Sequence, residues 1–148
     1  MSFNDYRFRS LWSVPAAPGR VFATLVDLAG YPDWWPDIRA VRRVDEDTAE
    51  VTCRSVLPYV LTFRLHRAVE DEPAGHMRVD MSGDLEGYVQ GRVAAHRSAG
   101  ALLAITQRVV VRKPLLRALA PVGRPVFRAN HALMMWRGQR GFRSYLAG

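Results

Sequence analysis

The chain has 148 residues, of which 49% are hydrophobic and 24% charged, a balance that indicates one globular domain over residues 1–148 and excludes a disordered protein. No apolar run approaches the roughly 20 residues of a membrane-spanning helix, and the polar N-terminus lacks the apolar stretch of a signal peptide. The formal net charge is +7, but Lys113 is the only lysine and the arginines are dispersed, which favours a solvated surface over a nucleic-acid-binding site.

The first predicted elements are a strand over residues 5–14 and two short helices. Apolar and polar side chains alternate along the strand, and the face predicted to be buried consists of Tyr6, Phe8, Ser10, Trp12 and Val14. Pro18 suits the first turn of a helix, and apolar residues follow it at helical spacing until Gly30. Trp34 and Trp35 then lie between two prolines, where they form either a lid over a pocket mouth or a plug at one end of the sheet.

The middle of the chain is predicted to form six strands in an antiparallel meander. Side chains of one face recur at every second position over residues 51–57, 61–65, 77–81, 89–95 and 103–111, and turn-forming residues separate these runs. This alternation predicts that one face of the sheet is apolar and buried. The arginines predicted to lie on the opposite, solvent-facing side are Arg54, Arg64, Arg78, Arg92 and Arg108.

A long helix is predicted over residues 124–146, preceded by one or two helical turns near residues 115–119. The positions that recur at steps of three and four, and so define its buried face, are Phe127, His131, Met134, Met135, Gly138, Phe142 and Tyr145. Gly138 and Gly141 lower the helix propensity. We attribute these two glycines to a close approach between the helix backbone and the sheet.

This order of elements, together with three segments, resembles the START-like or helix-grip superfamily (SRPBCC, Bet v 1-like) and specifically its bacterial branch of polyketide cyclase/dehydrase and lipid transport proteins. The segments are WSVPAAPGRVFATLVDLAGYPDWWPDI at 12–38, GDLEG at 83–87 and RPVFRANHALMMWRGQRGFRSYL at 124–146. The resemblance implies an α+β helix-grip fold, with a curved antiparallel sheet of about seven strands wrapped on a long C-terminal helix and two short helices after strand 1. It also implies a single START-like ligand-binding domain.

The inward faces of the strands and the helix predict a cavity with mostly apolar walls and a few polar groups. Such walls are typical of small-molecule sites, and methionine adapts to irregular apolar ligands, although a packed core would produce the same pattern. The residues predicted to bind the ligand are Ser10, Trp35, Ser55, Tyr59, Phe63, Met81, Gln107, Phe127, Met134 and Met135.

His131 is the candidate catalytic residue, and its position on the inner helix face leaves three interpretations open. It is a structural histidine paired with a sheet residue such as Gln107, a hydrogen-bond anchor for a ligand carbonyl, or a general acid or base. Asn130 precedes it, and this Asn-His pair is part of the resemblance to the family; the alternative is that Asn130 caps or braces a loop. The inward set contains no aspartate or glutamate, and the strand arginines point outward, which weakens the acid–base interpretation.

The sequence therefore predicts a protein that binds a small hydrophobic molecule such as a lipid, a polyketide or an aromatic compound. The alternative is a polyketide cyclase, aromatase or dehydratase that uses His131 as acid or base. The outward arginines are either a solvated face or a surface for an acidic partner such as an acyl carrier protein. No metal or cofactor is predicted, because the histidines and Cys53 lack ligand spacing and no phosphate-binding glycine motif occurs. The lone cysteine is typical of a cytoplasmic protein.

Overall fold

Within residues 5–54, 59–97, 100–113 and 123–147, which are the residues described by this computed structural model, seven strands form one antiparallel sheet. The strands are β1 (Asp5–Val14), β2 (Ile38–Arg43), β3 (Thr48–Cys53), β4 (Leu61–Asp71), β5 (His76–Gly83), β6 (Leu85–His96) and β7 (Gly100–Val111). The helices are α1 (Pro18–Val26), a 3₁₀ helix (Leu28–Asp33) and α2 (Arg124–Ala147). This is the curved-sheet, helix-grip architecture that the sequence predicted.

The sheet order is β1-β7-β6-β5-β4-β3-β2, so consecutive strands from β2 to β7 are neighbours and the N-terminal strand closes the sheet beside β7. Tyr6 on β1 lies opposite Val109 on β7, and Trp12 lies opposite Leu103. Both pairs are buried, as the alternation of the first strand predicted. β1 and β2 are the two edges of the sheet.

The predicted strand faces are confirmed on β4 and β5, whereas Ala95, predicted inward near the end of β6, is exposed. The side chains predicted to face inward on β4 and β5 are all buried, and these are Leu61, Phe63, Leu65, Met77, Val79 and Met81. Close strand approach requires glycine at position 87: Gly87 has φ 132°, and a Cβ there would overlap the carbonyl oxygen of Arg108 on β7.

Helix α2 begins at Arg124 as predicted, and most of its predicted inner face is buried or half-buried. Tyr145 was assigned wrongly, because its side chain is 46% exposed and Leu146, at 3%, is buried instead. Leu146 follows Phe142 by four residues and so continues the buried stripe of the helix. The helical turns predicted near residues 115–119 lie outside the described residues.

The sequence interpretation placed the two glycines of α2 against the sheet, and this was wrong. They approach the Trp34–Trp35 segment. A Cβ at Gly138 would lie 2.6 Å from the indole ring of Trp35, and one at Gly141 would overlap the backbone carbonyl oxygen of Trp34. The indole Nε1 of Trp35 also donates to the carbonyl oxygen of Met134 at 3.0 Å. The glycines thus form a notch that holds the tryptophan segment against the helix.

A charged pair fixes the same segment a few residues further on. Asp37 is 1% exposed, and both of its carboxylate oxygens accept hydrogen bonds from the guanidinium of Arg137 on α2.

Among the described helices, none is long and apolar enough to cross a membrane.

Candidate functional site

A cavity of about 150 Å³ lies between the inner face of the sheet and helix α2. The strands contribute one wall, which includes Phe63, Leu65, Met77, Val79, Met81 and Ile105. Helix α2 contributes the opposite wall, made of Phe127, Asn130, His131, Met134 and Met135. Trp34 and Trp35, held by the glycine notch, line the cavity as well. The fold thus leaves space where a fully packed core would have none.

The cavity wall is apolar and uncharged over the residues that the structure describes. Among them no arginine, lysine, aspartate or glutamate lines the cavity, which agrees with the outward phase predicted for the strand arginines. Four of the five methionines of the chain line it. Because the methionine side chain is unbranched and flexible, such a wall adapts its shape to the molecule it contacts.

Most of the predicted ligand-binding residues meet in this wall. Those that line the cavity are Trp35, Phe63, Met81, Gln107, Phe127, Met134 and Met135, together with the candidate catalytic residue His131. Ser10 does not, because edge strand β1 places it in a separate cleft. Tyr59 is half-buried against the core but is not part of the wall, and Ser55 lies outside the described residues.

Of the two roles that the sequence left open for Trp34 and Trp35, the contacts of both residues correspond to the plug. Trp34 is 5% exposed and packs on Phe142, with ring centroids 4.8 Å apart, as a plug does. Trp35 is half-buried, stacks on Trp34 and packs edge-on against Trp12. Since both are anchored to α2, they close one end of the cavity as a fixed part of the wall.

Asn130 is one of the wall residues that the sequence interpretation missed. It does not cap or brace a loop; it lies inside α2 and is 8% exposed. Its Nδ2 donates to the sulfur of Met134 at 3.7 Å, and its Oδ1 is buried and accepts no hydrogen bond from a described residue. The available signal was its spacing, three residues after Phe127 and four before Met134, which places the three side chains on neighbouring positions of one face.

His131 is a half-buried, paired histidine at the border of the cavity. Its Nε2 donates to Oε1 of Gln107 at 2.7 Å, and its ring stacks on Phe8 with centroids 3.5 Å apart and planes 9° apart. Burial disfavours the charged imidazolium and lowers the pKa of His131 from 6.5 to about 4. The side chain is therefore neutral at neutral pH, where it is a weak base and has no imidazolium proton to donate.

We expect the folded protein to lose stability as the pH falls from 6.5 towards 4, in part through His131. In that window the unfolded chain binds a proton at His131 that the folded chain, with its lowered pKa, does not bind. The lowered pKa of His131 contributes roughly 2–3 kcal/mol to the free energy of unfolding above pH 6.5, allowing for the residual solvent contact of the side chain. Urea denaturation at both ends of the window measures it. The variant His131→Gln should lose distinctly less stability over the same range, and an identical loss in both proteins would contradict the assignment.

A second cleft lies between edge strand β1 and helix α2. It is lined by side chains that include Phe8, Ser10, Leu11, Arg128, Trp136 and Gln139. Two of its large apolar residues are exposed, Leu11 at 65% and Trp136 at 53%. Trp12, His131 and Met135 line both this cleft and the cavity, so these three side chains form the wall between the two spaces.

The strand arginines lie on the outer face, and three of them have acidic partners there. Arg64 lies 3.9 Å from Glu50, Arg78 3.1 Å from Asp80, and Arg108 3.0 Å from Asp5. Exposed pairs of this kind contribute little stability, but they neutralise much of the basic surface. The outer face is therefore a mixed, solvated surface along these strands.

Two further kinds of chemistry find no support in the described residues. No group of three or more His, Cys, Asp or Glu side chains among them could hold a metal ion. Burial, and next the charge of Asp37, raise the pKa of the Cys53 thiol to about 12, so the thiolate that a nucleophile requires does not form at neutral pH.

Comparison with known proteins identifies the family of this chain. Residues 14–132 match the profile of the family described as polyketide cyclase / dehydrase and lipid transport. No curated protein gives a significant sequence match. Solved structures resemble the fold at low sequence identity, which shows a shared architecture alone, and three of them are described next.

The aromatase/cyclase Zhui from a Streptomyces species has a TM-score of 0.79 at 14% identity, covering 97% of this chain and 94% of its own. A protein from Thermus thermophilus has a TM-score of 0.83 at 13% identity, with 96% and 97% covered. A START superfamily protein from Mycobacterium smegmatis has a TM-score of 0.75 at 13% identity, with 95% and 97% covered. Because its sequence matches the family profile over most of its length, and because it has the helix-grip fold, this chain belongs to the polyketide cyclase/dehydrase and lipid transport family.

Proposed function

We propose that this protein is a ligand-binding domain that holds a small, neutral, hydrophobic molecule in the cavity between the sheet and helix α2. The observation that supports this most strongly is the uncharged wall of the cavity, which is lined by four flexible methionines and several aromatic side chains. An apolar cavity left without a ligand forfeits contacts that a packed core would make. A ligand that fills the space restores those contacts.

The size and character of the cavity limit the ligand. An apolar cavity of about 150 Å³ is known to accommodate a single aromatic ring such as benzene. A two-ring compound requires the methionines to move, which their rotatable side chains allow. Burial of apolar surface contributes about 25 cal/mol per Å² before the cost of ordering the ligand is subtracted, so affinity grows with each ring or methylene that fits.

The absence of a cation among the described wall residues determines the preferred charge of the ligand. A carboxylate moved into this cavity would lose its hydration and gain no opposite charge, a large cost in an apolar site. A neutral compound of equal size has no such cost. The described geometry therefore favours neutral ligands over anions.

The test compares naphthalene with 2-naphthoate by isothermal titration calorimetry. We expect naphthalene to bind and 2-naphthoate to bind at least tenfold more weakly, since about 1.4 kcal/mol of uncompensated desolvation is enough for that factor. The variant Met134→Trp should abolish naphthalene binding by filling the cavity. Ser144→Trp adds the same side chain at an exposed position of the same helix and should bind as the wild type does. Tighter binding of 2-naphthoate would contradict the proposal.

The alternative function is a cyclase, aromatase or dehydratase that acts on a polyketide chain, and the position of His131 in the cavity wall is the observation in its favour. In that case the neutral imidazole orients or deprotonates the substrate, and an acidic carrier such as an acyl carrier protein docks on the outer arginines. The lowered pKa of His131 makes it a weak base, so we rank this function second. Dehydrating or cyclising turnover that is lost in His131→Ala would favour it.

A further inference from the structure

The side chain of Asn130 has an unused hydrogen-bond acceptor in the cavity wall. The residue is 92% buried, and the buried Oδ1 accepts no hydrogen bond from the described residues. Its Nδ2 reaches only the sulfur of Met134, which is a weak acceptor. Folded proteins pair nearly all of their buried polar atoms, so an acceptor left in this state calls for an explanation.

The other polar groups of the wall do not share this property. His131 Nε2 and Gln107 Oε1 hydrogen-bond to each other, and Gln107 Nε2 lies 3.7 Å from the sulfur of Met135. Trp35 Nε1 donates to the backbone of Met134. These interactions engage the named groups within the protein itself. Asn130 therefore stands out as an acceptor available to a bound molecule.

An acceptor selects its partner by chemistry. A hydroxyl or N–H group on a ligand can donate to Oδ1, whereas an ether, ketone or carboxylate oxygen in the same place would put two acceptors together. Replacing the donor by an apolar group leaves Oδ1 buried without a partner, and this is the kind of mismatch by which polar sites reject close analogues. Asn130 thus distinguishes molecules of nearly equal size and shape.

We propose that Asn130 is a specificity-determining residue and that the ligand is a neutral apolar molecule bearing a hydrogen-bond donor, in its simplest form a phenolic or alcoholic hydroxyl. This inference rests on the proposed function, because it names the ligand class of the same cavity. It goes beyond it by assigning the polar end of the ligand to Asn130, in place of the His131–Gln107 pair.

The experiment uses two probes that differ in one donor, 2-naphthol and 2-methoxynaphthalene. Calorimetry gives the ratio of their dissociation constants for the wild type and for Asn130→Leu, a variant of similar side-chain size without polar atoms. Comparing the two ratios removes the difference in hydration between the probes. We expect the preference for 2-naphthol to fall about five- to tenfold in Asn130→Leu, the range of one neutral hydrogen bond. Retained binding of 2-methoxynaphthalene shows that the variant is folded.

A second variant and a control separate the outcomes. Asn130→Ala, with a smaller side chain, should lower the preference for 2-naphthol in the same way. Ser144→Ala, at an exposed position of the same helix, should leave that preference unchanged. If both probes bind and the ratio stays the same without Asn130, the assignment to Asn130 is wrong although the cavity binds ligands. If neither probe binds to the wild type, the proposed function fails and this inference fails with it.

Discussion

We expect the substitution Gly141→Ala to lower the free energy of unfolding by about 3–4 kcal/mol, although alanine is the better helix former by about 1 kcal/mol. The reason is a backbone contact. A Cβ at this position would overlap the carbonyl oxygen of Trp34, which cannot rotate away as a side chain would. Either the helix or the Trp34–Trp35 segment must move. Thermal and urea denaturation measure the loss, which corresponds to a midpoint lower by roughly 10 °C for a domain of this size.

Two variants of the same helix serve as controls for this prediction. At Gly138 an added Cβ meets the indole ring of Trp35, at 2.6 Å, so Gly138→Ala should cost less than Gly141→Ala because a ring can shift slightly. Ser144 is exposed, and Ser144→Ala should leave the stability unchanged or raise it by a few tenths of a kcal/mol. Equal stability of Gly141→Ala and wild type would show that the tryptophan segment does not rest on this notch.

The strand faces could be predicted from the sequence because a strand has a period of two. Once Phe63 or Met81 is taken as inward, every second neighbour follows, and each outward arginine is fixed by the same choice. The apolar, uncharged wall was therefore predictable before any tertiary contact was known. Ser10 shows the limit of this argument. Ser10 lies on the strand face that was predicted. The sequence does not show, however, whether a side chain on that face of edge strand β1 lines the cavity or the second cleft, because this depends on what packs against the strand.

The helix was harder to predict because 3.6 residues per turn leaves the borders of a face undefined. Tyr145 and Leu146 are both close to the buried stripe, and only the packing decides which of them is covered. Asn130 lies at the other border, where its polar side chain suggested a cap. The glycine notch depends on the Trp34–Trp35 segment, more than 100 residues away along the chain. Contacts of that separation leave no periodic signal in the sequence.

The notch and the charged pair act on the same piece of chain, and this connects stability with the site. Trp35 is part of the cavity wall, and it reaches that position because its segment is held on α2 at three points. The helix therefore supplies one wall directly and fixes the end of the cavity indirectly. A change that loosens the segment should alter both the stability and the shape of the cavity.

We expect Arg137→Met to destabilise the protein by about 3–5 kcal/mol, the range observed when one partner of a buried ion pair is removed. Asp37 is 1% exposed, and in this variant its carboxylate loses both hydrogen bonds from the guanidinium and stays away from water. Asp37→Asn should cost less, because a quarter of the Arg137 side chain already faces solvent and its guanidinium can turn towards water.

The charged pair is best measured as a double-mutant cycle by urea denaturation. The double variant Asp37→Asn, Arg137→Met should be more stable than Arg137→Met alone, because it no longer buries a carboxylate from which the Arg137 guanidinium has been removed. Arg42→Met is the matched control: Arg42 lies 3.4 Å from Glu50 in an exposed pair, and its loss should cost less than about 1 kcal/mol. If Arg137→Met costs no more than Arg42→Met, the pair does not anchor the tryptophan segment. A large loss in Arg137→Met accompanied by weaker naphthalene binding would instead show that this buried pair maintains the closed end of the cavity.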